Sequence, residues 1–257
     1  WIVPNQPQGR LAKFVQNEID GENLWETLGN IWDVALDVLK NRGGSRLLTY
    51  RADVYQEPVW IDRETFRDYI TVGTGDAFHY LSVYFNVKDD NHPPLHFMLL
   101  HTMSSLFRGS AEPFVGCVIN LGATLGTLCL LMAAGRRLGR LCFPKGNMSA
   151  EQTGRILGLM AALLYGLSAG AMAATLLIRM YALLAFFCLA AFYIHLKKWT
   201  EGSFFTGNRL LILVTVLGFL TQYFFLFYCL PLAAVTAAGL FLRGRRRELL
   251  VYLRSMV

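Results

Sequence analysis

From residue 95 onward the chain is a succession of apolar runs divided by short clusters of basic residues, and this alternation limits the fold more than any other feature. Pro113 to Gly135 is long enough to cross a bilayer outright, which takes about 20 apolar residues. Further runs follow at Ile156 to Leu177, Met180 to Leu196, Leu210 to Leu220 and Phe224 to Leu242. A shorter one, Leu95 to Phe107, could just span if its ends are solvated. In hydrocarbon every backbone N–H and C=O must be satisfied within the chain, so such runs fold as helices. The sequence therefore predicts an all-α, polytopic membrane helix bundle, with a transmembrane domain of about six helices over residues 93–257.

Charge gives this bundle a direction. Residues 1–112 hold ten Lys/Arg against fifteen Asp/Glu, and residues 113–257 hold fourteen against three, so the net charge of +6 is −5 followed by +11. The basic clusters at 136–155, 197–209 and 243–254 fit the excess of Lys and Arg in cytoplasmic loops. Read so, the segments near Arg108, near Ser168 to Arg179 and near Thr221 to Tyr223 lie on the outer face. The acidic residues 1–92 lie there too, as an extracytoplasmic, mainly helical loop domain. The basic residues belong to loops between spans, so no nucleic acid is expected as a partner. The five cysteines avoid the acidic region and are not spaced as metal ligands, so neither a disulfide framework nor a cysteine metal cluster is implied. A chain that opens on Trp1 and stops just after a basic patch reads as a piece of a longer protein, lacking a first transmembrane helix and incomplete at its C-terminus.

Within the acidic region, Asn23 to Asn41 has helical periodicity, with Trp25, Leu28, Ile31, Trp32, Ala35, Leu36 and Leu39 on one face. That face either packs in the core of the loop domain or lies in the interface with Trp25 and Trp32 at headgroup depth. Asp62 and Asp76 look like N-caps of two short helices, the second running through Phe78 and Leu81 toward Phe85. In the apolar part, small residues four apart at Gly122 and Gly126, Gly154 and Gly158, and Gly166 and Gly170 predict close helix packing.

Where the two parts meet stands Lys88-Asp89-Asp90-Asn91-His92-Pro93-Pro94-Leu95. Two carboxylates and an imidazole are placed at a membrane surface just before a Pro-Pro pair that opens a helix, a position suited to a charged group presented by a lipid. Arg179 is the other exceptional residue, because it is the only formal charge between Arg155 and Lys197, and charge at membrane depth costs several kcal/mol. Arg179 and His92 can both donate to a phosphate, while Asp89 or Asp90 could act as a base or hold a divalent metal. Plainer roles stand beside these: His92 bonded to backbone at a helix start, Arg179 as a snorkelling anchor, and Tyr181 as an interfacial aromatic. Gln222 and Tyr223 are similar candidates at the third outer turn.

The Asp-x-His-Pro-Pro-Leu stretch, with Asp90 as its acid, and the Arg-x-Tyr-Ala stretch in Ile178-Arg179-Met180-Tyr181-Ala182-Leu183 resemble motifs of a known family. This is the polyprenyl-phosphate-dependent glycosyltransferases of the protein O-mannosyltransferase and aminoarabinose transferase type, multi-pass enzymes of the GT-C fold. The resemblance covers roughly Tyr69 to Tyr228. It implies an inverting transferase that moves a hexosyl, mannosyl or pentosyl group from a polyprenyl-phosphate donor to a lipid, glycan or protein acceptor. The reaction would take place on the outer face, in a bacterial plasma membrane. His92, Arg179 and Tyr181 would then hold the donor phosphate, and Asp90 and Asp89 would be catalytic. The family's main base, usually Asp-Glu just after the first transmembrane helix, has no counterpart here, since Glu18 and Asp20 do not match it, and it is expected upstream of Trp1. No metal ligand carries over, so a metal cofactor stays open. The competing reading is a transporter or flippase of polyprenyl lipids, with the same charges forming a headgroup path.

Overall fold

The computed structural model describes residues 23–41, 63, 67, 71–73, 77–87, 92–110, 112–142 and 149–255, and among these the regular structure is helical, with no strand. The chain forms two compact units, Trp1–Gly116 and Cys117–Val257, each described by itself. Asp62 and Asp76, expected as caps, lie outside the described residues.

The first unit holds α1 (Leu24–Asn41), α2 (Tyr80–Val87) and α3 (Leu95–Leu106). Asn23 starts α1 by accepting the Glu26 N–H on its side-chain oxygen at 2.9 Å, which satisfies one of the orphan donors of a first turn. On the apolar face of α1, Trp25 is 81% and Trp32 65% exposed among the described residues. α2 is tied to α3: the Phe78 N–H donates to Ser105 at 3.0 Å and the Tyr80 hydroxyl meets Thr102 at 2.9 Å. Pro94 is the N-cap of α3, where a residue without an N–H costs nothing.

The helix α4 (Pro113–Cys142) carries the chain into the second unit, which continues with α5 (Ala150–Gly166), α6 (Ala169–Leu176), α7 (Tyr181–Glu201), α8 (Asn208–Thr221), α9 (Phe225–Leu242) and α10 (Arg246–Arg254). α4, α7 and α9 are long and apolar enough to cross a membrane, and α5 with α6 makes a fourth candidate bent by 61°. α8 is a shorter apolar helix. The protein is thus a helical membrane protein by length and composition.

Three boundaries differ from those expected. The arginines expected to open a loop at residue 136 instead continue α4 to Cys142, because Arg is a good helix former and Arg137 finds partners along α7. Its guanidinium donates to Thr200 at 2.9 Å, to Tyr193 at 3.2 Å and to Glu201 at 3.0 Å. Lys197 and Lys198 do not interrupt α7, since Lys198 reaches past the helix end to Asn208 at 2.6 Å and to the Thr206 carbonyl. The run from Ile156 to Leu177 is broken at Ser168, whose hydroxyl donates back to the Tyr165 carbonyl and accepts the Ala171 N–H to cap α6.

Glycines set the spacing of α4 and α5. Gly135 and Gly139 face Gly154 and Gly158 so closely that a Cβ on Gly158 would lie 2.8 Å from the Met132 carbonyl oxygen, and one on Gly154 would lie 2.9 Å from the Arg136 Cα. Only helices without side chains at the crossing can approach like this. Gly122 and Gly170, also expected as packing glycines, have open space beside them instead.

At the basic end, α7, α9 and α10 converge on Phe204, which is fully buried. Trp199 packs edge-on against it at 5.1 Å, and the Arg243 guanidinium lies 4.9 Å above Trp199. Tyr252 of α10 donates its hydroxyl to His195 Nε2 at 2.9 Å, while His195 Nδ1–H donates to the Ala191 carbonyl at 2.7 Å. Burial pushes the Tyr252 phenol up to about 12, so it remains the donor. Glu248 accepts the Phe204 N–H at 2.8 Å and the Arg245 Nε–H at 2.7 Å.

The Arg245 hydrogen bond, helped by the Phe204 N–H, holds the Glu248 carboxyl below its ordinary value of 4.5. A depressed carboxylate stabilises above the unfolded pKa and loses that contribution as pH falls through the folded one. Glu248→Gln should therefore cost about 1–2 kcal/mol at neutral pH, charged hydrogen bonds being discounted for solvent. Its thermal midpoint in detergent should then fall less than the parent's on acidification below that carboxylate range. Parallel pH curves would show that Glu248 does not lock this end.

Candidate functional site

The segment 177–180 joins α6 to α7 and carries Arg179. Leu177 leaves the helix in an extended conformation, and the Arg179 N–H turns back to the Leu177 carbonyl at 2.6 Å. Irregular backbone between apolar helices needs protein partners for its carbonyls, and one face of α4 supplies them. Cys117 donates its thiol to the Leu176 carbonyl at 3.3 Å. Asn120 donates to the Leu177 carbonyl at 2.6 Å and the Ala174 carbonyl at 3.3 Å. Thr124 meets Thr175 hydroxyl to hydroxyl at 2.7 Å. Asn120 is fully buried, and its side-chain oxygen has no hydrogen-bond partner among the described residues.

Sequence reasoning missed Asn120. Its signal was a lone carboxamide inside an apolar run, with Cys117 and Thr124 three residues before it and four after, hence on the same helix face. Asn120→Leu keeps the bulk and strips two carbonyls of their donor, which should cost about 1–3 kcal/mol. Unfolding of the purified protein in mixed micelles would measure it, and parental stability would mean that the carbonyls find other partners.

Arg179 is half-buried and stands just before the N-terminus of α7, whose N-cap Met180 offers no side-chain hydrogen bond. The first-turn N–H groups and the positive end of a helix dipole favour an anion at such a position. Tyr181, at the first position of α7, is 40% exposed. α7 has 21 residues and is therefore about 30 Å long, so Arg179 and the Trp199 cluster stand at opposite ends of one span. α8 runs back from the basic end to the turn before α9, where Gln222 is buried while Tyr223 and Phe224 are exposed. These aromatics, with Tyr181, suit a membrane–water boundary.

In the first unit, His92 is half-buried and immediately precedes buried Pro93. Asp89 and Asp90 lie outside the described residues. His96, in the first turn of α3, is 2% exposed, and neither ring nitrogen has a hydrogen-bond partner among the described residues. Among the described residues, which exclude Asp89 and Asp90, no three His, Cys, Asp or Glu side chains are grouped to hold a metal. No protein-family model matches the chain, and no curated protein or solved structure matches it. The functional reading therefore rests on the chemistry of the residues and on the motif resemblance. A guanidinium beside an uncapped helix N-terminus, with a phenol one position into that helix, can hold a phosphate or carboxylate at the end of a span.

Proposed function

We propose that the protein is an inverting glycosyltransferase of the GT-C type that uses a polyprenyl-phosphate sugar donor, with Arg179 binding the donor phosphate. The observation that carries this reading is the placement of an arginine just before the N-terminus of a span, on a segment that α4 braces through Cys117 and Asn120. A lipid whose tail lies in the bilayer presents its phosphate at that depth. The reaction is a single displacement: a carboxylate takes the proton of the acceptor hydroxyl, the acceptor oxygen attacks the anomeric carbon, and the bond to the lipid phosphate breaks with inversion. Arg179, with Tyr181 beside it in the same unit, stabilises the charge that grows on the departing phosphate. The base is a carboxylate, with Asp90 and Asp89 as the candidates. The acceptor is a lipid, glycan or protein on the outer face.

One observation favours a second reading. The 61° break between α5 and α6 is the kind of discontinuity that transporters use to line a substrate path. Transport moves the lipid and leaves its sugar–phosphate bond intact. Incubating membranes that carry the full-length protein with a radiolabelled polyprenyl-phosphate sugar separates the two: transfer releases polyprenyl phosphate and labels an acceptor, and intact donor crossing the bilayer supports transport.

A further inference from the structure

The helix α10 is built to display one face. Its inner side is fixed by Tyr252 on His195 and by Glu248 on the Phe204 N–H and Arg245. The opposite arc carries Arg246, Leu250 and Arg254 at successive helical turns, with Arg247 and Leu253 beside them. All five are exposed, Leu250 by 58% and Leu253 by 44%. None of these three arginines makes an ion pair among the described residues, and the only acid of the helix, Glu248, points inward.

Depth follows from the chain. α9, one of the candidate spans, ends at Leu242, and the Arg243-Gly244-Arg245 turn, with Gly244 at φ +70°, leads directly into α10. A helix that starts where a span ends lies at headgroup level. There the two leucines can enter the acyl boundary while the arginines stay among headgroups.

We infer that the Arg246, Arg247, Leu250, Leu253 and Arg254 face of α10 is a binding surface for anionic phospholipid headgroups. A leaflet rich in zwitterionic lipid offers the leucines the same depth but gives the guanidinium groups no net attraction, so the site selects negative lipid from its surroundings. This holds whatever reaction occurs at Arg179, about one span length away.

The test places a fluorophore on a cysteine substituted for Leu250, in the full chain with its native cysteines replaced by serine. The protein is reconstituted in vesicles of equal parts phosphatidylcholine and phosphatidylglycerol, with either lipid brominated as quencher. Brominated phosphatidylglycerol should quench roughly two- to fivefold more than brominated phosphatidylcholine. The ratio should fall toward one in the Arg246→Gln, Arg247→Gln, Arg254→Gln triple variant and, in the parent, at high salt. A fluorophore at Leu230, 57% exposed on α9, should give a ratio near one throughout. Equal quenching by the two lipids at position 250 overturns the inference, and so does a ratio that survives high salt, which needs no variant to fold.

Discussion

Gly158→Val should prevent α4 and α5 from closing and should be among the most damaging single changes in the second unit. The added Cβ would meet the Met132 carbonyl oxygen at 2.8 Å and its Cα at 2.9 Å. Both contacts are backbone, so no side chain can swing aside and the helices themselves must part. Overpacking costs typically about 1–3 kcal/mol where side chains can adjust. A backbone clash repeated along a glycine seam should exceed about 3 kcal/mol, a large fraction of a stability of about 5–15 kcal/mol. Gly122→Ala is the control, since nothing lies within 4 Å of a Cβ there and alanine favours the helix by about 1 kcal/mol. The expected result is loss of folded protein and a lowered unfolding midpoint in mixed micelles for the valine variant, against a midpoint unchanged or raised for the alanine control. A valine variant as stable as its parent would mean that the seam opens at no cost.

The contrast between these two glycines shows what the sequence could tell. Small residues four apart mark helices that can approach closely, but the pattern does not say which face has a neighbour. Gly154 and Gly158 were legible and their partners Gly135 and Gly139 were not, because they sit among arginines that look like the start of a loop. Lys197 and Lys198 misled in the same way: hydropathy marks a charge as a break, whereas an amine that reaches Asn208 lets α7 run on to Glu201. The apolar core of each span was readable from composition alone, since burial in lipid demands it. The break at Ser168 was less so, because a serine that caps a helix and a serine that merely sits in one differ only in tertiary context. At the candidate site, Arg179 stood out as an isolated charge. Asn120, which braces its segment, did not, since its role exists only once α4 lies against the end of α6.

Arg179→Lys is the second change of large expected effect. A guanidinium presents two parallel donors to two phosphate oxygens, and an ammonium keeps the charge but loses that fork. A charge-assisted hydrogen bond in a partly dry site contributes about 1.5–3 kcal/mol, and about 1.4 kcal/mol is tenfold in rate, so transfer should fall roughly ten- to a hundredfold. Protein level should barely change, because a lysine at the end of a span reaches water along its own stem. Arg179→Ala, which removes the charge as well, should fall further. An anchoring arginine behaves differently, with insertion suffering in the alanine variant and activity surviving in the lysine one.

Donor-phosphate binding by Arg179 is tested by the rate of sugar transfer from a radiolabelled polyprenyl-phosphate donor, compared between membranes carrying the protein and membranes carrying equal amounts of its Arg179→Lys variant. The parent should transfer sugar and the variant should do so roughly ten- to a hundredfold more slowly; a variant that transfers sugar at the parental rate, or a parent that transfers none, would mean that Arg179 does not bind a donor phosphate.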